Sequence, residues 1–303
     1  MFATALFLLQ ATFQAPRLVE SSGVAVSRAY PGVLWTHNDS GDGPYLYATD
    51  LRGTDRGALL VSGAQALDWE DISLGPCPVA FPLQTSSRLS RSNAPSCVYL
   101  ADTGDNLEVR PFVTVYAVAE PPPPERASDT LATTRAAAVL QLRYPDGPHD
   151  VEAVYVSPRD TALYLVSKGA TGGSAIRLYR VDRGAWRTSD TTGNVVVATL
   201  VQTLDIRPNR EAGRVVTAGA IRSDGRIVAI RTYSEIYLFY PGVGGRLLPA
   251  RERPCNIARR EIGGEAIDFL DDSTFVLTSE ASGRRPGTID TVKCGLLREQ
   301  SNQ

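Results

Sequence analysis

Three observations predict an all-β fold, a β-propeller of five blades. Short runs of β-branched, aromatic and aliphatic residues recur along the whole chain, bounded by turns rich in Gly, Asp and Pro. A short acidic motif heads three of these groups, as Asp68-Trp69-Glu70-Asp71-Ile72, Asp150-Val151-Glu152-Ala153-Val154 and Gly263-Gly264-Glu265-Ala266-Ile267. No long segment carries a helical period. Repeats of three or four strands each are what propeller blades require.

The first repeat takes residues 22–27 as its inner strand, then 33–38 and 45–50, before the Leu51-Arg52-Gly53 turn; Glu20-Ser21-Ser22-Gly23-Val24 reads as a degraded copy of the motif. The second starts at Asp68 and continues through 97–102 and 113–118. Pro121 to Pro124 then make a surface connection, and 136–144 supply a fourth, outer strand. The third uses 151–156, 162–167 and 176–181. The fourth uses 215–221, 227–231 and 236–240, with Ser223-Asp224-Gly225 as a hairpin turn and Thr217-Ala218-Gly219-Ala220-Ile221 as another degraded copy. The fifth uses 265–269, 274–278 and 288–292. Six blades result if 195–204 begins a blade of its own instead of forming an outer strand. Residues 77–97 and 121–131 read as insertions.

With 303 residues, 43% of them hydrophobic, the chain suits one large all-β domain. A net charge of -2 argues against nucleic acid as a partner. Cys77 with Cys97 and Cys255 with Cys294 form two local pairs that suit disulfides in an oxidising compartment, and neither has the close spacing of a zinc site. Residues 1–15 read as a signal peptide, its apolar core running from Phe2 to Phe13, with 16–303 as a single propeller domain; the alternative is an outer strand that closes the fold. Beyond this segment no stretch is long enough for stable membrane insertion. The chain is expected to be secreted or periplasmic, and monomeric.

Propeller inner strands run along the central channel, so equivalent positions form rings. Aligning the repeats on their apolar pairs puts Ser22, Glu70, Glu152, Gly219 and Glu265 in one ring. Glu20, Asp68, Asp150, Thr217 and Gly263 form another, two residues earlier. Carboxylates this close need a cation, raised pKa values or basic partners, and a hard cation with oxygen ligands points to Ca²⁺. The metal candidates are Asp68, Glu70, Asp150, Glu152 and Glu265. The ends of the second strands add Asn38, Asp39, Asp102, Asp105, Asn106, Ser167, Ser279 and Glu280, while Lys168 and Arg231 bring positive charge. Glu152 and His149 are candidate proton carriers, and His37 is a weaker one. The aromatics Trp35, Trp69, Tyr99, Tyr164, Tyr233 and Tyr237 read as blade packing. There is no G-x-S-x-G elbow, P-loop, H-E-x-x-H or EF-hand loop.

Ser-Gly-Val-Ala, then Val-Leu-Trp-Thr-His-Asn-Asp-Ser-Gly, Asp-Trp-Glu-Asp-Ile, Gly-Asp-Asn, Asp-Val-Glu-Ala and Gly-Glu-Ala-Ile together resemble secreted bacterial propellers of the phytase-like, esterase-like and SdiA-regulated type. The resemblance runs from about Glu20 to Cys294. It implies a propeller whose channel-facing acids, matched here by Glu70, Glu152 and Glu265, bind Ca²⁺ in some relatives. The expected function is a cation-binding propeller that hydrolyses phosphoesters, esters or lactones, with Lys168 and Arg231 holding developing negative charge. The alternative is a non-catalytic propeller that binds a small-molecule or polymeric extracellular ligand: a glycan, a peptide or an envelope component. A metal-free carboxylate pair acting on glycosides is a third reading.

Overall fold

Short turns between consecutive strands force neighbours to pair antiparallel, and each repeat accordingly folds into one sheet. The computed structural model describes residues 3–79, 96–124, 131–169, 174–186, 193–207, 213–258 and 263–294. Five sheets stand in a ring, one per predicted repeat, so the fold is a five-bladed propeller. The inner strands are Ser21–Val26, Trp69–Pro76, Val151–Val156, Val216–Ile221 and Gly264–Phe269. They touch in chain order, and the last returns to the first. The segment considered as a sixth blade divides between two existing ones. Val196–Val197 runs along the edge of blade 2, and Thr199–Thr203 is the outer strand of blade 3. The insertion at 77–97 falls mostly outside the described residues, and that at 121–131 does so at 125–130.

Apolar side chains meet between blades, in five clusters, each shared by two consecutive blades around the ring. Trp35 and Trp69 fill the junction of blades 1 and 2, and Tyr99 packs edge-on against Trp186 between blades 2 and 3. Large aromatics suit wedge-shaped gaps because each buries 150–250 Å² or so.

Closure of the ring uses the start of the chain. Leu6–Thr12 is the fourth strand of blade 5, antiparallel to Thr288–Lys293, and Ala3–Thr4 runs parallel to Cys255–Asn256 on blade 4. The segment read as a leader thus forms part of the sheet system in this structure. Among the described residues no helix is long and apolar enough to cross a membrane.

Both expected disulfides form, and together they point to an oxidising, extracytoplasmic setting. Cys77–Cys97 ties two strands of blade 2, whereas Cys255–Cys294 joins the outer part of blade 4 to the end of blade 5 across 39 residues. Loop-closure entropy for that span gives about 4 kcal/mol. Replacing Cys255 and Cys294 together by Ala should lower the denaturation midpoint more than replacing Cys77 and Cys97, whose 20-residue loop is shorter. Urea melts of the two double variants check this.

Every inner strand carries one irregularity. The register shifts at Ser22, Glu70, Glu152, Thr217 and Glu265, a β-bulge repeated in all five blades at the same end of the channel. A bulge inserts one extra residue and re-aims its side chain. The register corrects the fourth member of the predicted ring. Thr217, not Gly219, is the equivalent of the three glutamates, because Ala218 pairs with Arg231 as Ala153 pairs with Val166. The apolar pair Ala220-Ile221 stands two residues further from the bulge than Ala153-Val154 does, which is why the sequence pattern points to Gly219 instead.

One step below the bulges stand Gly23, Asp71, Ala153, Ala218 and Ala266. Four of the five are Gly or Ala, which leaves room at the centre for the fifth. Asp71 is fully buried, and its Oδ2 accepts the N–H groups of Val154 (2.8 Å) and Gly219 (3.0 Å), while Oδ1 accepts that of Ile72. One carboxylate thereby ties blades 2, 3 and 4 together beneath the mouth. A Cβ on Gly219 would stand 3.2 Å from that of Ala153, so blades 3 and 4 approach each other closely at this point.

Candidate functional site

The bulged glutamates and the residues that follow each second strand share one mouth. Asp39, Lys168 and Glu280 occupy equivalent places, one residue past Asn38, Ser167 and Ser279. Their N–H groups donate to the carbonyls of Glu20, Asp150 and Gly263. Tyr233 follows Thr232 in the same way in blade 4.

Two overlapping carboxylate triples result. Asp39, Asp68 and Glu70 form the first, and Glu70, Asp150 and Glu152 the second, with ligand atoms in each within 4.8 Å of one another; either could hold a metal ion. Glu70 belongs to both. It is 4% exposed, and among the described residues no donor bonds its carboxylate. Gly104 makes room for it: a Cβ there would lie 2.1 Å from Glu70 Oε1 and 2.4 Å from Asp68 Oδ2.

The electrostatics follow from crowding in a desolvated place. Burial, and then Glu152, Asp39 and Asp68, push Glu70 well above the usual carboxylate range. Burial and the neighbouring Asp68 push Asp39 up to about 7, and one Asp39 oxygen, Oδ1, is buried without a donor. Glu280 is likewise pushed up to about 7, by burial and then by Glu265 and Glu20. Asp68 is raised chiefly by burial.

Lys168 answers part of this charge. Its Nζ donates to Glu152 Oε1 and lies 3.4 Å from Asp150 Oδ2. Burial acts to lower its pKa, but Glu152 and Asp150 outweigh burial and hold the ammonium above its ordinary value. Asp150 also accepts the N–H of Asp105 at 2.9 Å. Glu265 is raised by burial against the opposing pull of Arg231, Tyr233 and Lys168. Tyr233 is a mouth residue rather than blade packing. Burial and then Glu265 and Glu152 raise its hydroxyl. Its place after a second strand, matching Asp39, Lys168 and Glu280, is the signal that could have found it.

The other candidates lie elsewhere. Arg231 is fully buried within blade 4, and its guanidinium donates to the carbonyls of Ala266 and Thr278 in blade 5. The His149 ring stacks on Tyr179 and packs against Tyr144 in the cleft between blades 2 and 3, with Asp146 and Glu108 beside it. His37 is buried against Trp69, its Nδ1 2.9 Å from the Asn38 carbonyl, and burial lowers it to about 4, so it is neutral. Asn38 and Asp102 are latches. Asn38 accepts the N–H groups of Val19 and Glu20, and Asp102 those of Leu67 and Asp68, each holding the approach to an inner strand. Asp105 caps its own loop through the N–H groups of Val109 and Arg110.

A mouth built this way offers hard oxygen ligands, one ammonium and a phenol. A scan against protein-family models finds no match to the chain, and a search of curated proteins finds none either.

Proposed function

We propose that the chain is a secreted or periplasmic propeller that binds one divalent cation, calcium, at Asp39, Asp68 and Glu70. The observation that carries this is the first triple itself: Glu70, 4% exposed and with no hydrogen-bond donor to its carboxylate among the described residues, faces Asp68 and Asp39, whose Oδ1 is buried without a partner. Only a proton or a cation relieves such a group. The all-oxygen donor set, without His or Cys, suits a hard ion. Asp150 and Glu152, which share the second triple with Glu70, and Glu265 complete the acidic surround, and Lys168 and Tyr233 offer donors to an anionic or polar ligand at its edge.

The resemblance to phytase-like, esterase-like and SdiA-regulated propellers extends the proposal to hydrolysis of a phosphoester, ester or lactone. A bound calcium ion supplies Lewis acidity toward a phosphoryl or carbonyl oxygen. The chain's own contribution is to orient the ligand through Lys168 and Tyr233 and to carry a proton on Glu152, whose burial favours its protonated form against the opposing pull of Lys168.

A second reading is a binding module for a small or polymeric extracellular ligand. It is favoured by the contacts that already occupy the other candidates: the His149 ring stacks on Tyr179, the Arg231 guanidinium donates to backbone carbonyls of blade 5, and Lys168 engages two carboxylates. Turnover separates the two. With calcium present, the hydrolase reading expects release of phosphate, alcohol or ring-opened acid from at least one member of a phosphomonoester, aryl ester and lactone panel, lowered at least about 100-fold in Glu152→Gln. A calcium-bound protein inert on the whole panel is the result for the binding module.

A further inference from the structure

The two carboxylate triples differ in one respect. Among the described residues no arginine or lysine forms an ion pair with Asp39, Asp68 or Glu70, whereas Lys168 reaches into the second triple and contacts both Asp150 and Glu152. The ammonium is held there by geometry. The Lys168 backbone N–H donates to Asp150 O at 2.9 Å, and its carbonyl accepts the N–H of Val216 at 3.1 Å, so blade 3 and blade 4 both fix the residue. Its side chain is 13% exposed, and those of Asp150 and Glu152 are 8% and 4% exposed. A charge this well enclosed stays only where it is paired.

We propose that Lys168 is a built-in cation: its ammonium fills the second triple, Glu70–Asp150–Glu152, so that the native mouth takes a single divalent ion and gains a second site when the ammonium is removed. This rests on the reading of the first triple as a calcium site. The second triple has the spacing of a cation site, and Glu70, 4% exposed and with no donor to its carboxylate among the described residues, belongs to both. Without Lys168, Glu152 would lose its hydrogen-bonding partner, and three buried carboxylates would face one another with no positive group among them. A divalent ion relieves that more completely than an ammonium, because it supplies twice the charge and accepts more oxygens. The blade symmetry shows how the arrangement arises: Lys168 stands where blade 1 has Asp39, so one equivalent position supplies a ligand in one triple and the cation in the other.

The experiment is equilibrium dialysis of the full chain against radioactive calcium, with stoichiometry as the readout. The native chain should bind one ion, Lys168→Met two, and Lys168→Arg, which keeps the positive charge, one. If Lys168→Met does not fold, Lys168→Gln, which is also neutral but polar, carries the same test with two ions expected. One ion in both the native chain and the neutral variants overturns the built-in cation and leaves the first site standing. Two ions in the native chain overturn it as well, since the ammonium would then block nothing. No ion in the native chain overturns the calcium reading itself.

Discussion

Calcium should raise the melting temperature of the ion-free chain by about 5 °C or more at a hundred times its dissociation constant. Binding to the folded state alone contributes about 2.7 kcal/mol at that ratio, and each kcal/mol moves the midpoint of a domain this large by about 2–4 °C. The gain arises because the ion replaces repulsion among Asp39, Asp68 and Glu70, so Glu70→Gln should abolish it. The same variant should melt no lower than the native chain in chelator, since an amide at this place removes a buried acid crowded by Glu152, Asp39 and Asp68. A substitution that destroys the calcium response without cost to the ion-free protein is the signature of a ligand rather than a packing residue.

The response should also depend on pH in a defined direction. Asp39 and Glu280, pushed up to about 7, keep protons in the ion-free folded state that the unfolded chain releases near pH 4, the ordinary value for these side chains being about 4. A folded state that binds more protons loses stability as pH rises, so their contribution falls between about pH 4 and pH 7. Calcium must displace the proton on Asp39 to bind at low pH. Its stabilising effect should therefore be larger at pH 8 than at pH 5, as parallel thermal melts would show.

The second large effect is expected at Asp71, which takes no part in ion binding. Asp71→Ala leaves the N–H groups of Ile72, Val154 and Gly219 without their acceptor at the centre of the fold. Each buried unsatisfied donor costs about 1–3 kcal/mol, so the variant should lose at least about 3 kcal/mol and melt about 6 °C or more below the native chain. Asp71→Asn keeps one oxygen acceptor and should recover part of the loss. Equal melting of the alanine variant and the native chain would show that blades 2, 3 and 4 do not depend on this carboxylate.

Blade count and the three glutamates were legible in the sequence because both rest on local pattern. Apolar runs with Gly and Asp turns mark strands, and the motif around Glu70, Glu152 and Glu265 keeps its spacing to the following apolar pair. Thr217 was not legible, because a bulge adds a residue that only strand pairing reveals, and the apolar pair Ala220-Ile221 stands two residues further from it than Ala153-Val154 stands from Glu152. Asp71 was visible as a letter but not as a role. Its partners, Val154 and Gly219, lie 83 and 148 residues away and are contacted through their backbones, which carry no sequence signal. Lys168 and Arg231 looked alike as basic residues at second-strand ends, yet two residues of offset separate them, Arg231 being the equivalent of Val166. Lys168 follows its strand into the mouth, whereas Arg231 lies within its strand and turns into the fold.

The central claim is that the mouth holds a divalent cation at the first carboxylate triple, and a crystal structure of the native chain grown with calcium tests it most directly. The account predicts one strong anomalous peak with oxygens of Asp39, Asp68 and Glu70 at about 2.3–2.6 Å, and the Lys168 ammonium still seated between Asp150 and Glu152. A mouth with no peak at saturating calcium, or a peak ligated by neither Asp68 nor Glu70, would contradict it.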